Sequence, residues 1–178
     1  MKNVINWQEI MSDSSRKCIE HASRILIKNP KEVTNLIELG FSGVPRYSGR
    51  AVRAIYYALQ VDNTLFKKEL SNLVWRYKDC PDESVEFHFM GIFYMAELPK
   101  KQKELAELTN ICFAAFDKTV QRIAIKVYAA ETLFKIANKF PAMKNEVISI
   151  LMAQSEDEHA SLKITSKRII KELMKSKK

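Results

Sequence analysis

The chain has 178 residues, of which 47% are hydrophobic and 28% charged, a balance that fits a folded domain and excludes a disordered or low-complexity one. Only 4 Gly and 5 Pro leave little material for turns, so helices are expected to dominate. The formal net charge of +8 is uneven along the sequence: residues 1–40 carry +1, 41–80 carry +4, 81–117 carry −4, 118–155 carry +4 and 156–178 carry +3, so an acidic block interrupts the basic surplus.

One domain spanning residues 1–178 is expected from this length. No apolar run approaches the ~18 residues of a membrane span. The opening MKNVINWQEIMSDSS lacks the apolar stretch of a secretion signal, so a cytoplasmic protein with no membrane partner is expected. Cys18, Cys80 and Cys112 are odd in number, widely spaced and outside any C-x-x-C pattern, which argues against a disulfide framework or a zinc site.

Capping residues and apolar periodicity predict helices near residues 5–11, 13–28, 30–39, 46–60, 62–78, 82–98, 100–116, 118–138, 141–154 and 158–175, with no strands. Pro30, Asp62, Pro99 and Pro141 each stand where one helix gives way to the next, a drifting period near forty residues that predicts stacked helix pairs sharing a core. In 118–138, one apolar face holds Val120, Ile123, Val127, Ala130, Phe134 and Ala137; the other holds Ile125, Tyr128, Ala129, Thr132 and Ile136. That helix should be covered on two sides. The final helix sets Leu162, Ile169, Ile170 and Leu173 against Lys163, Lys167, Arg168, Lys171 and Lys175, and reads as a solubilising cap.

The stretch KTVQRIAIKVYAAETLFKIANKFPAMKNEVISIL, a helix, a Phe-Pro break and a second helix, resembles a HEAT-type repeat. The ending SLKITSKRIIKELMK is similar to the last helix of a small family of bacterial HEAT-like proteins. The resemblance is clearest from about residue 44 onward. It implies an all-α, αα-superhelical fold of about four helix pairs plus a C-terminal capping helix, and a surface that holds a partner; it implies no reaction. Some members of that family carry an adenylosuccinate lyase label, but the S-S-x-M-P-x-K-x-N loop of that enzyme superfamily is missing: Ser14 and Ser15 are followed by Arg16 and Lys17.

Candidate chemistry is sparse. His21, His88 and His159 lie in three separate helices, so no metal cluster is expected. Cys18 and His21 share a helix face but point the same way, without a third orienting group. His88, between Phe87 and Phe89, reads as a core histidine with a backbone partner. Gly40, Gly43 and Gly49 form no phosphate-binding pattern; Gly40 is expected to stop a helix, and Gly91 to permit close helix contact.

The most distinctive feature is RYSGRAVRAIYYALQ, residues 46–60. As a helix it places Arg46, Arg50, Arg53, Tyr57 and Gln60 within a strip about 80° wide. Lys118, Arg122 and Lys126 share a face of a later helix, whereas Glu83, Glu86 and Glu97 stand on the helix between. Two functional classes follow. The first is a non-catalytic module, without cofactor, binding a protein partner through exposed side chains. The second is a nucleic-acid-binding protein that resembles HEAT-like DNA alkylation-repair glycosylases and uses Arg46, Arg50, Arg53, Tyr57, Lys118, Arg122 and Lys126. For the carboxylate that such chemistry needs, Asp79 beside Trp75 and Tyr77 is the nearest candidate, and it reads as a loop residue.

Overall fold

The computed structural model describes residues 5–117, 122–156 and 159–175, and among these it is all-helical with no strand. The helices are α1 (Trp7–Ile10), α2 (Arg16–Lys28), α3 (Val33–Phe41), α4 (Ser48–Val61), α5 (Leu70–Arg76), α6 (Glu83–Met95), α7 (Gln102–Asp117), α8 (Ile123–Lys139), α9 (Lys144–Gln154) and α10 (Ala160–Lys175). No helix is long and apolar enough to cross a membrane. Internal contacts divide the chain into two compact units, Met1–Glu97 and Leu98–Lys178.

In the first unit α4 is central, with α2 and α6 beside it and α3 packed against it. Its sequence explains that position. Ala51, Ala54 and Ala58 keep the helix thin enough for close approach, while Val52, Ile55 and Leu59 fill the spaces, and all six are buried. α2 contributes Ile19, Ala22 and Leu26, and α6 contributes Val85, Phe89, Ile92 and Phe93. Side-chain oxygens start two of these helices: Ser15 accepts from the Cys18 N–H at 3.2 Å, and Asp82 from the Val85 N–H at 3.0 Å.

The second unit is built around α8, which packs against α7, α9 and α10. Ile125, Ala129, Thr132, Leu133, Ile136 and Ala137 of α8 are buried, as are Leu162, Ile169 and Leu173 of α10. Of the two faces expected of α8, the second is buried at Ile125, Ala129, Thr132 and Ile136; the first is buried at Ala130 and Ala137 and half-buried at Ile123, Val127 and Phe134, with Val120 outside the described residues, and on α10 Ile170 is half-buried. Outside the apolar contact, Arg168 pairs with Glu131 and stacks over Phe134, its carbon 5.5 Å from the ring centre.

One local motif occurs in both units. α2 ends at Asn29 and α8 at Phe140, both with φ near −130° (−132° and −127°), and each is followed by a single 3₁₀ turn that begins with proline, Pro30–Glu32 and Pro141–Met143. Proline cannot continue the preceding helix but suits the first position of the next turn, so the same Xaa-Pro pair reverses the chain in both places.

Two expectations need correction. Residues 62–78 are not one helix. The Asp62 carboxylate accepts from the Thr64 N–H at 3.0 Å and from its hydroxyl at 2.6 Å, and the chain continues in three-residue turns, Lys67 N–H to Thr64 O and Glu69 N–H to Phe66 O, until α5 begins. Phe66, fully buried, fixes that winding from inside. Gly40 does not stop α3 but lies within it, and the left-handed residue that redirects the chain is Gly43, at φ +69°.

Ser166, fully buried on α10, has a hydroxyl oxygen with no hydrogen-bond partner among the described residues. Burying an unpaired hydroxyl opposes folding, so Ser166→Ala is expected to leave stability unchanged or raise it by up to about 1 kcal/mol. Thermal denaturation checks this, and a clear loss of stability would mean that the hydroxyl has a partner.

Candidate functional sites

The arginine strip of α4 has an internal occupant. Segment 11–15 joins α1 to α2, and its carbonyl oxygens face the guanidiniums. Arg50 Nη1 donates to Met11 O at 2.8 Å and to Ser12 O at 2.9 Å, Arg46 Nη2 donates to Ser12 O at 3.0 Å, and Arg53 Nη1 reaches Ser14 O at 3.4 Å. Arg53 also donates from Nε and Nη2 to the Tyr57 hydroxyl, at 3.2 and 2.9 Å, with its carbon 5.2 Å from that ring's centre. α1 ends at Ile10, so Met11, Ser12 and Ser14 lie outside any helix that could supply donors to their carbonyls, and the arginines do so. A phosphate arriving here would compete with these carbonyls.

One further contact lies within this segment and another anchors α1 before it. Asp13 accepts from the Ser15 N–H at 2.6 Å; hydrogen bonds from Ser15, aided by the charge of Arg50, keep the Asp13 carboxyl below its ordinary pKa. Trp7, which is buried, donates from Nε1 to Glu32 at 3.0 Å, and bonds from Asn35 and Trp7 hold Glu32 below the usual carboxylate range.

The other predicted basic residues belong to the second unit. Lys118 lies outside the described residues. Arg122 is exposed at the start of α8, while Lys126, one turn on, is only 9% exposed, its aliphatic stem packed into the unit. Of the acidic residues set against them, Glu97 pairs with Lys67 at 3.2 Å. Asp79 ends a 3₁₀ turn and is exposed, with Trp75 47% exposed and Tyr77 buried.

His88 has the expected backbone partner but is half-buried rather than in the core. His88 Nδ1 lies 2.7 Å from Ser84 O, which fixes the proton on that nitrogen, and the ring meets Tyr56 and Phe87 edge-on. The Cys18 thiol is directed to Ile10 O at 3.0 Å, and His21 is exposed. No group of three metal-ligating side chains occurs among the described residues. Cys112 is fully buried, and burial pushes its thiol well above the ordinary value. In the folded protein at pH 8, iodoacetamide is therefore expected to label Cys18 and Cys80, both half-buried, and to spare Cys112 until denaturant is added. Peptide mapping by mass spectrometry checks this, and native labelling of Cys112 would show that α7 opens.

A second site was not anticipated from the sequence. α9 and α10 flank a shallow, largely open groove of ≈ 520 Å³ with Met152, Ile170 and Met174 as its apolar floor and Lys167, Lys171 and Lys175 as its basic edge. Met152 is 53% exposed and Met174 50%; Ile164, earlier on α10 and not part of the groove lining, is 66% open. The signal was present: Ile164 and Met174 interrupt the lysine-bearing side of the last helix, where only polar residues are needed for solubility.

No family model, curated protein or solved structure matches the chain.

Proposed function

We propose that the protein is a non-catalytic interaction module: a HEAT-like stack of about four helix pairs, closed by α10, that holds a protein partner on exposed side chains of one face. Within the first unit α2, α4 and α6 lie side by side, as successive first helices of a pair-stack do, and the repeated Xaa-Pro turn supports the same reading. The observation that carries the function is the apolar surface of the last two helices, where Met152, Ile164 and Met174 are each at least half open to solvent. Two methionines suit such a surface, being flexible enough to fit an incoming side chain.

A phosphate-reading surface is the competing class. Its support lies in the basic row of α10, where ammonium groups stand at the groove edge. The arginines of α4 support it less, since carbonyl oxygens already occupy them.

A photo-crosslinking amino acid placed at Ile164, and separately at Trp75, in the cells that make the protein tests the proposal. One protein should be captured from one of these positions and should bind the purified chain in a defined ratio. If neither position yields an adduct, and the purified protein instead binds duplex DNA at near-physiological salt, the module reading fails.

A further inference from the structure

We infer that the α9–α10 groove receives an acidic amphipathic helix of the partner, its apolar residues on the methionine floor and its carboxylates along the lysine edge. This rests on the interaction-module reading and adds the chemistry of the partner.

The chain itself shows how that edge treats a carboxylate. Glu156, in the segment after α9, accepts from Lys167 Nζ at 3.0 Å and lies 3.6 Å from Lys163 Nζ. The bond from Lys167 and the two ammonium charges hold the Glu156 carboxyl below its ordinary pKa. Lys171 and Lys175 continue the row one and two turns beyond Lys167, both exposed, and no described carboxylate reaches either. Among the described residues the row is thus filled at one end and open at the other, beside an apolar floor that is itself open.

Shape and backbone chemistry select a helix over an extended peptide. The groove is flanked by two helices, whose backbone groups bond internally and offer no edge for a strand to pair with, so an extended segment would leave its own N–H and C=O groups unmatched over apolar side chains. A helix satisfies its backbone itself, and acids four residues apart repeat at ~6 Å, the repeat of Lys167, Lys171 and Lys175 on α10. An apolar i, i+3, i+4, i+7 stripe on that helix then faces Met152, Ile170 and Met174.

The probe is a fluorescein-labelled 18-residue synthetic helix with leucine at those positions and glutamate on the flanks, titrated into the full chain and followed by anisotropy. Three controls are used: a scrambled peptide of equal composition, a peptide with glutamine in place of glutamate, and one with lysine there instead. The glutamate helix should bind, the scrambled peptide should not, and the affinity should fall as salt rises. Met174→Asp should weaken binding more than ~10-fold, as loss of a floor contact does. Lys171→Glu together with Lys175→Glu should weaken it ~10-fold or more and should strengthen binding of the lysine peptide, with the helical circular dichroism of both variants unchanged.

Equal binding of the scrambled peptide overturns the inference. So does failure of the charge reversal to exchange peptide preference. Three further results, each abolished by Met174→Asp, would assign the groove to another occupant and overturn it too: binding to phosphatidylglycerol vesicles alone, binding to duplex DNA alone, or self-association of the chain by light scattering. A partner captured at Trp75 together with no peptide binding would sink this inference while leaving the module reading standing.

Discussion

Gly40→Ala is expected to lower the stability of the protein by about 2 kcal/mol, although alanine is the better helix former. A β-carbon at position 40 would lie 2.6 Å from Val52 Cγ2 and 3.5 Å from Phe89 Cζ, against an optimal carbon–carbon separation of ~3.5–4 Å. Val52 cannot yield cheaply: its branched side chain has one good rotamer in a helix, and it is fully buried. α3 must therefore move away from α4, or α4 from its neighbours, an overpacking cost of ~1–3 kcal/mol, against which the helix gains at most ~1 kcal/mol from replacing glycine. Val52→Ala alone also destabilises, by opening a void, but the double variant should be more stable than the sum of the two losses predicts, because the new methyl occupies the space the valine vacates. Urea denaturation of the four proteins measures this coupling. A melting temperature for Gly40→Ala at or above that of the wild type would show that the α3–α4 approach is looser than described.

Gly40 also illustrates what the sequence discloses and what it hides. Three glycines in ten residues after a periodic run signal a helix end, but only three-dimensional proximity distinguishes Gly43, needed for its left-handed backbone, from Gly40, needed for its missing side chain. α2 and α6 were legible at their starts because their caps are local: Ser15 and Asp82 each accept from the N–H three residues on, as their identity suggests; α3, α4, α8 and α9 have no side-chain cap and were legible from their apolar stripes. Residues 62–69 were not, since Asp62 reads equally as a helix start or as the centre of a tight turn, and the choice is made by the burial of Phe66. The arginines of α4 were found as a strip, but their partners are main-chain oxygens 34 to 39 residues earlier, and a carbonyl leaves no mark in a sequence. The α9–α10 groove escaped for a related reason. Met174 of the groove, like Ile164 earlier on α10, is unremarkable until the packed side of α10 is known, and only then do both stand out as apolar residues left open among the described residues.

Arg50→Glu should release segment 5–15 from the first unit at a cost of about 3 kcal/mol. The wild-type guanidinium donates two hydrogen bonds, at 2.8 Å to Met11 O and at 2.9 Å to Ser12 O, the second of which Arg46 also serves at 3.0 Å, and charged hydrogen bonds are each worth ~1.5–3 kcal/mol. A glutamate removes both donors and brings negative charge toward two carbonyl oxygens and Asp13, so the loss exceeds that of Arg50→Ala, while Arg50→Lys should recover part of it through a single point donor. Release of the segment would withdraw Trp7 from its buried site against Glu32. Hydrogen exchange should quicken at the amides of Ile10 and Met11, whose bonds to Asn6 O and Trp7 O close α1, and fluorescence from the two tryptophans should shift to the red. The same variant decides how the arginine strip is used. If it abolishes binding of duplex DNA while exchange in segment 5–15 stays slow, the guanidiniums serve phosphate and their carbonyl bonds are incidental. If exchange quickens and no nucleic-acid affinity is lost, the strip is the clasp that holds segment 11–15 against α4, and recognition lies elsewhere in the chain.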